Sequence, residues 1–307
     1  MITTIAATIA LAQLVSCSSI ARTQAAASES AAPTPSASRS GPSKSDGALK
    51  MTPAKAKYDR AQVYKDGCHL HSDEIAQGTC VYGDRSASKS IVLFGDSHAA
   101  QWFPAIDEQA TARRYRLYSW TKSACPWYAV SVIIPRSKRP YPGCDKWRRA
   151  MFTRMAEIKP DVVFVVSISE TYQVSDRGRV LSRAKSQPFI DQAIVKTLGE
   201  LKQSATHVVV IADNPHSQVS VPACISAHMR QLRACDLPRP SLKSALSTDV
   251  SKVSSMPGVQ IADFTDRLCW SQSCPAVING YIAYSDLNHV TATFSRYASD
   301  WFTEYLP

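Results

Sequence analysis

Five short, nearly unbroken apolar runs, at 91–94, 115–120, 162–167, 207–212 and 259–264, alternate with longer segments of helical periodicity at 99–111, 145–159, 189–204, 241–255 and 291–305. Apolar runs of this length read as strands buried on both faces, and the helical segments between them supply the crossovers that parallel pairing requires. The pattern predicts a three-layer α/β/α domain of flavodoxin-like type around a central parallel sheet. In such sheets, function collects at the carboxyl ends of the strands.

The pattern changes toward the N-terminus. Residues 1–21 carry no charged side chain and match the length of a membrane-spanning helix. They are expected to act as a membrane anchor or an export signal. Leu14-Val15-Ser16-Cys17 also resembles a lipobox, which makes Cys17 a candidate for lipidation. Opposing an export signal, no Lys or Arg precedes Arg22. Residues 22–57 are rich in Ala, Ser and Pro, too poor in large apolar side chains for a core, and are expected to be a disordered tether. The folded domain is then expected over 58–307.

Composition narrows the class. The chain has 307 residues, 45% apolar and 20% charged, which is ordinary for a globular domain. Its net charge of +10 is scattered, with no nucleic-acid module or long basic run, so an anionic envelope surface is the expected counterpart and nucleic acid is not. Nine cysteines are many for a cytosolic enzyme, and their spacing does not fit a zinc site. Eight fall into near neighbours, Cys68 with Cys80, Cys125 with Cys144, Cys224 with Cys235 and Cys269 with Cys274, which leaves Cys17 apart. Four sequential disulfides and an extracytoplasmic location follow, the competing reading being eight buried thiols.

The chemistry concentrates at two places. Gly95-Asp96-Ser97-His98 directly follows the first apolar run, putting Ser97 on a sharp strand-to-helix turn with the N–H groups and positive dipole end of the next helix aimed at the same point. Asp286-Leu287-Asn288-His289 lies just ahead of the last helix and supplies a base with a carboxylate to orient it. Ser97 is the expected nucleophile, His289 the general base and Asp286 its partner. Asp96 is expected to hold the turn. His98 is a candidate for lining the substrate cleft, while His69 and His71 show no ligand pattern and are expected at the surface.

This pairing resembles the SGNH (GDSL-type) hydrolases, with 95–99 similar to the first family block and 286–289 to the last. The family's oxyanion glycine and asparagine have no counterparts: no glycine lies between Gly95 and Gly143, and the asparagines are Asn214, Asn279 and Asn288. By position the turn Ser123-Ala124-Cys125-Pro126 replaces the glycine, making Ser123 and the Ser97 N–H the expected oxyanion donors. Ser169 occupies the place of the asparagine and is a second substrate-lining candidate. Gly95-Asp96-Ser97-His98-Ala99, Cys125-Pro126, Asp213-Asn214-Pro215, Pro222-Ala223-Cys224 and Asp286 to Thr291 together resemble the extracytoplasmic SGNH domain of acyltransferase-3 membrane proteins. That resemblance covers residues 60–307 and implies O-acyl transfer to envelope carbohydrate, with the acyl donor supplied by a separate membrane acyltransferase. It implies no metal or soluble cofactor. An esterase with the same triad and a non-catalytic glycan-binding module are the alternatives.

Overall fold

A computed structural model describes residues 48–169, 172–248 and 250–307. The anchor, Cys17 and most of the tether lie outside the described residues. The seven-stranded central sheet comprises β1 (His69–Leu70), β2 (Val81–Gly83), β3 (Ser90–Gly95), β4 (Arg116–Lys122), β5 (Val162–Val166), β6 (His207–Ile211) and β7 (Val259–Ala262). The long strands run in parallel in the order β4-β3-β5-β6-β7, the doubly wound order expected. The free edge of β4 is shared: antiparallel β2 pairs its first half and parallel β1 its last two residues.

Helices cover both faces. On one side, α3 (Phe103–Ala112), α10 (Ala292–Tyr297) and the 3-10 turn Ser299–Tyr305 pack around Trp102, Phe164, Phe264 and Phe302, whose rings meet edge-on or tilted. On the other, Trp147 of α4 (Pro142–Ile158) stacks on Phe94 of β3, and α5 (Arg183–Ser204) lies alongside. Every residue of β3 and β5 is buried, so the unbroken apolar runs reflect a sheet with no wet face.

Two expected helices are interrupted. The first divides into α2 (Ser97–Ala100) and α3, with Pro104 opening α3 where its missing N–H costs nothing. The segment 241–255 divides into α7 (Leu242–Leu246) and α8 (Val250–Ser254) because Ser247 is left-handed. The folded part also starts ahead of residue 58. In α1 (Pro53–Ala56) Ala56 is fully buried, and Lys50 N–H donates to the Gly280 carbonyl at 2.8 Å.

All four disulfides form in the sequential pattern, Cys68–Cys80, Cys125–Cys144, Cys224–Cys235 and Cys269–Cys274. Cys125–Cys144 fastens the turn after β4 to the start of α4. There the buried Arg148 donates to the carbonyls of Pro126 and Val130, both at 3.0 Å. Among the described residues no helix is long and apolar enough to cross a membrane.

Candidate active site

The topological switch lies between β3 and β5, since the chain crosses to β4 on one side of β3 and to β5 on the other. Ser97 sits there because Gly95 permits a turn no other residue can make. Its φ is +151°, and a Cβ would stand 2.0 Å from the Val166 carbonyl oxygen of the neighbouring strand. Asp96 then caps α2, accepting the His98 N–H at 2.8 Å, and its other oxygen takes the Ile168 N–H at 2.9 Å and the Tyr172 hydroxyl at 2.7 Å. Burial pushes this carboxyl upward despite those donors.

From the far end of the domain, residues 285–290 fold back over the same point. Asp286 Oδ1 accepts the N–H groups of Asn288 at 3.0 Å and His289 at 2.8 Å, closing a tight local turn. Its Oδ2 lies 2.8 Å from His289 Nδ1, and His289 Nε2 lies 2.8 Å from Ser97 Oγ. Asp286 accepts only, so Nδ1 carries the proton and Nε2 presents its lone pair to the Ser97 hydroxyl. Burial opposes charge on Asp286, but the His289 hydrogen bond and charge outweigh it and hold this carboxyl well below the usual range. A serine, an imidazole in the accepting tautomer and an ionised carboxylate in one line can carry out nucleophilic acyl chemistry.

The loop is held by side chains that sequence reasoning passed over. Gln101 donates to Asn214 Oδ1 at 2.6 Å and accepts the Val290 N–H at 2.7 Å, while Asn214 donates to the Asn288 carbonyl at 2.7 Å. The only available signal was the Asp213-Asn214-Pro215 string at the carboxyl end of β6.

Three expectations about the cleft are overturned. The Ser123 N–H donates to the Leu70 carbonyl at 2.8 Å and its hydroxyl lies 3.0 Å from His69 Nε2, so Ser123 is committed to the β1 edge and offers no oxyanion donor. In the same turn the Cys125 N–H donates to the Lys122 carbonyl at 3.2 Å, and the Ala124 amide has no backbone acceptor among the described residues. His98 is fully buried and bonds Asp213 rather than lining a cleft. Ser169 is also buried, its N–H donating to Asp213 Oδ2 at 2.7 Å. The backbone that would hold the family's asparagine is thus tied down by two buried aspartates.

His69 is not at the surface either. It is 3% exposed, between Thr121 at 2.9 Å and Ser123 at 3.0 Å, and burial, with the charge of His289 second, lowers its pKa to about 3. Strand register puts it level with Thr121 of β4 and so with Gly95 of β3, and the Tyr64 ring packs on it with centroids 4.4 Å apart. His71, by contrast, is exposed.

Among the described residues, two side-chain clusters have metal-ligand composition. In the first, Cys224 and Cys235 beside His228 are joined as a disulfide and offer no thiolate. In the second, His98 and His216 both bond the Asp213 carboxylate, at 2.5 Å and 2.8 Å, as N–H donors. Their inner nitrogens are thereby used.

A strand-to-helix turn after β3 that presents Ser97, a D-x-x-H loop before the last helix that meets it and a doubly wound sheet define the SGNH class of α/β domain. The chain belongs to the family described as "SGNH domain (fused to AT3 domains)", whose model matches residues 67–304. Among solved structures it is similar to the periplasmic domain of a lipopolysaccharide acetyltransferase from Salmonella ser. Paratyphi A. That match has 16% identity over 82% of this chain and 95% of the other, with a TM-score of 0.56, a likeness of fold. A carbohydrate esterase family 2 enzyme with a carbohydrate-binding domain, from Corynascus thermopiles (Myceliophthora fergusii), is more distant. It has 13% identity over 71% of this chain and 65% of the other, with a TM-score of 0.36. No curated protein sequence matches significantly.

Proposed function

We propose that this domain is a serine-dependent O-acyltransferase that places an acyl group on hydroxyls of cell-envelope carbohydrate. The observation that carries the reading is the unbroken line Ser97–His289–Asp286, with both links at 2.8 Å. Ser97 Oγ attacks the acyl carbonyl of the donor as its proton passes to His289 Nε2. The resulting imidazolium, stabilised by Asp286, protonates the departing group and leaves an acyl-serine. A sugar hydroxyl then gives its proton to Nε2 and attacks the acyl carbon. Ser97 departs and recovers the proton, so the enzyme returns to its starting state.

The Ser97 amide at the start of α2 is one proposed oxyanion donor, and the Ala124 amide is the second in place of Ser123. Membership in a family described as fused to AT3 domains supports a membrane acyltransferase as the donor's source. Four disulfides support an extracytoplasmic site of action, where such bridges persist. The N-terminal segment would then act as anchor or export signal, with Cys17 as its lipidation site.

An esterase reading has its own support: His289 and Asp286 side chains remain 27% and 35% exposed, so water reaches the acyl-serine when no sugar occupies the site. Treating the protein with a chromogenic acetyl ester or a serine-directed phosphonate and mapping the modified peptide tests the core of the proposal. Label on Ser97, with transfer to an added envelope glycan, is expected. Unmodified Ser97 with glycan binding unchanged in Ser97→Ala would instead establish a non-catalytic binding module.

A further inference from the structure

The residue after the nucleophile, His98, is fully buried, and its ring lies with its centroid 4.8 Å from that of His289. Its Nδ1 donates to Asp213 Oδ1 at 2.5 Å. We propose that His98 and Asp213 form a second imidazole–carboxylate pair, packed behind the catalytic one, that positions His289 and favours the onward release of its proton, with His216 as the pair's solvent-facing end. The inference rests on Ser97 and His289 acting as nucleophile and base.

Asp213 is built to remain a carboxylate in a fully buried place. It accepts from His98 Nδ1 and the Asn214 N–H at 3.0 Å on one oxygen, and from the Ser169 N–H at 2.7 Å and His216 Nε2 at 2.8 Å on the other. Burial works against its charge, and the charge of His98 with these hydrogen bonds overcomes it, leaving its pKa well below the usual carboxylate value. A cation beside it stabilises a buried anion, and His98 is placed to be that cation: burial favours the neutral ring, and its buried Nε2 has no hydrogen-bond partner among the described residues, but the Asp213 charge and hydrogen bond raise its pKa. Asp96 and Asp286 are the other carboxylates facing His98, and burial pushes the Asp96 carboxyl toward its neutral form. His216 packs from the remaining side with ring centroids 5.6 Å apart.

The two pairs therefore act on His289 in opposite directions. Asp286 stabilises the imidazolium that forms when Ser97 attacks. The cationic His98 ring opposes a second positive charge beside it, which returns His289 to the free base and drives its proton onto the leaving group. Both half-reactions of an acyl transfer need that alternation. A purely structural contact would not require a charge here, since a neutral amide can donate to Asp213 equally well.

That difference is testable on the whole protein. In His98→Asn the amide nitrogen stands where Nδ1 stands and keeps the bond to Asp213 while removing the charge. The midpoint of the ascending limb of the pH profile of kcat/KM, measured on an acetyl ester, should rise by about one pH unit, with KM little changed. Asp213→Asn removes the counter-ion, so the buried ring loses its charge, and the midpoint should move the same way.

A readout that needs no turnover separates this inference from the acyl-transfer reading. The proton NMR spectrum should hold a far-downfield imidazole N–H signal from His289, lost in Asp286→Asn, and one from the buried His98, lost in both His98→Asn and Asp213→Asn. Folded His98→Asn and Asp213→Asn proteins with lowered activity but an unmoved midpoint would reduce the pair to scaffolding and overturn the proposal. So would a single downfield signal that depends on Asp286 alone.

Discussion

At the scale of single residues the site consists of histidines sorted by environment. His289 is half-open to solvent and has a carboxylate on its inner nitrogen. His98 is sealed in with Asp213, and His69 is sealed in between two hydroxyls. Removing the Asp286 charge while keeping its shape should separate orientation from stability. Asp286→Asn is expected to fold normally and to lose roughly 10³-fold to 10⁴-fold in ester turnover, since the amide cannot stabilise the imidazolium and favours the wrong tautomer. His289→Ala should lose at least as much. His69 gives a prediction about stability. Its pKa is lowered from 6.5 to about 3, so between those values the unfolded chain takes up a proton that the folded chain refuses. Folding stability should therefore fall as pH drops through this window, by up to about 1.4 kcal/mol per pH unit from this residue. Denaturant titrations at a series of pH values should show the slope, and His69→Gln should flatten it. Equal slopes in both proteins would mean that His69 is solvated and that the β1 edge is looser than described.

At the scale of elements, the turn from β3 into α2 is the most constrained piece of the chain. Gly95→Ala puts a methyl group into the Val166 carbonyl at a φ that alanine rarely adopts. A loss of more than about 4 kcal/mol, seen as failure to fold or a collapsed thermal transition, is expected. The disulfides should rank by the loop each closes. Breaking Cys125–Cys144, with a separation of 19, should cost about 3 kcal/mol, against about 2 kcal/mol for Cys269–Cys274, with a separation of 5. Paired Cys-to-Ser variants in chemical denaturation check the order. The long strands were legible because a strand buried on both faces admits nothing but apolar residues, so its limits appear as edges of a run. The split of α2 from α3 and the break at Ser247 were not legible, because local periodicity continues through both and tertiary packing decides. Ser97, Asp286 and His289 could be named from short strings in the right setting. Asp213 and His98 could not be paired, since 115 residues separate them and the sheet alone brings them together. The burial of His69 is hidden for the same reason: an isolated histidine beside a cysteine gives no sign that Thr121 and Ser123 will close around it.

On the scale of the whole molecule, a basic chain carries a site that opens at the carboxyl edge of its sheet, next to Arg60, which lies over the Tyr64 ring beside His69. The net charge of +10 is spread rather than concentrated, so it acts as a field on incoming substrates and not as a binding groove. Such a field raises the local concentration of an anionic polymer and leaves a small neutral ester unaffected. Salt distinguishes the two, because the screening length shrinks from about 10 Å at 0.1 M to about 3 Å at 1 M. With a neutral acetyl ester, kcat/KM should stay level across that range. With an acidic envelope glycan as acceptor, the rate of acyl transfer should fall several-fold, through KM and not through kcat, since the Ser97–His289–Asp286 line is held by short direct hydrogen bonds that salt does not screen. Ester hydrolysis by water should rise in proportion as the acceptor is lost from the site. Transfer and hydrolysis that respond equally to salt would show that the charge serves the fold or the envelope surface and takes no part in bringing the acceptor to Ser97.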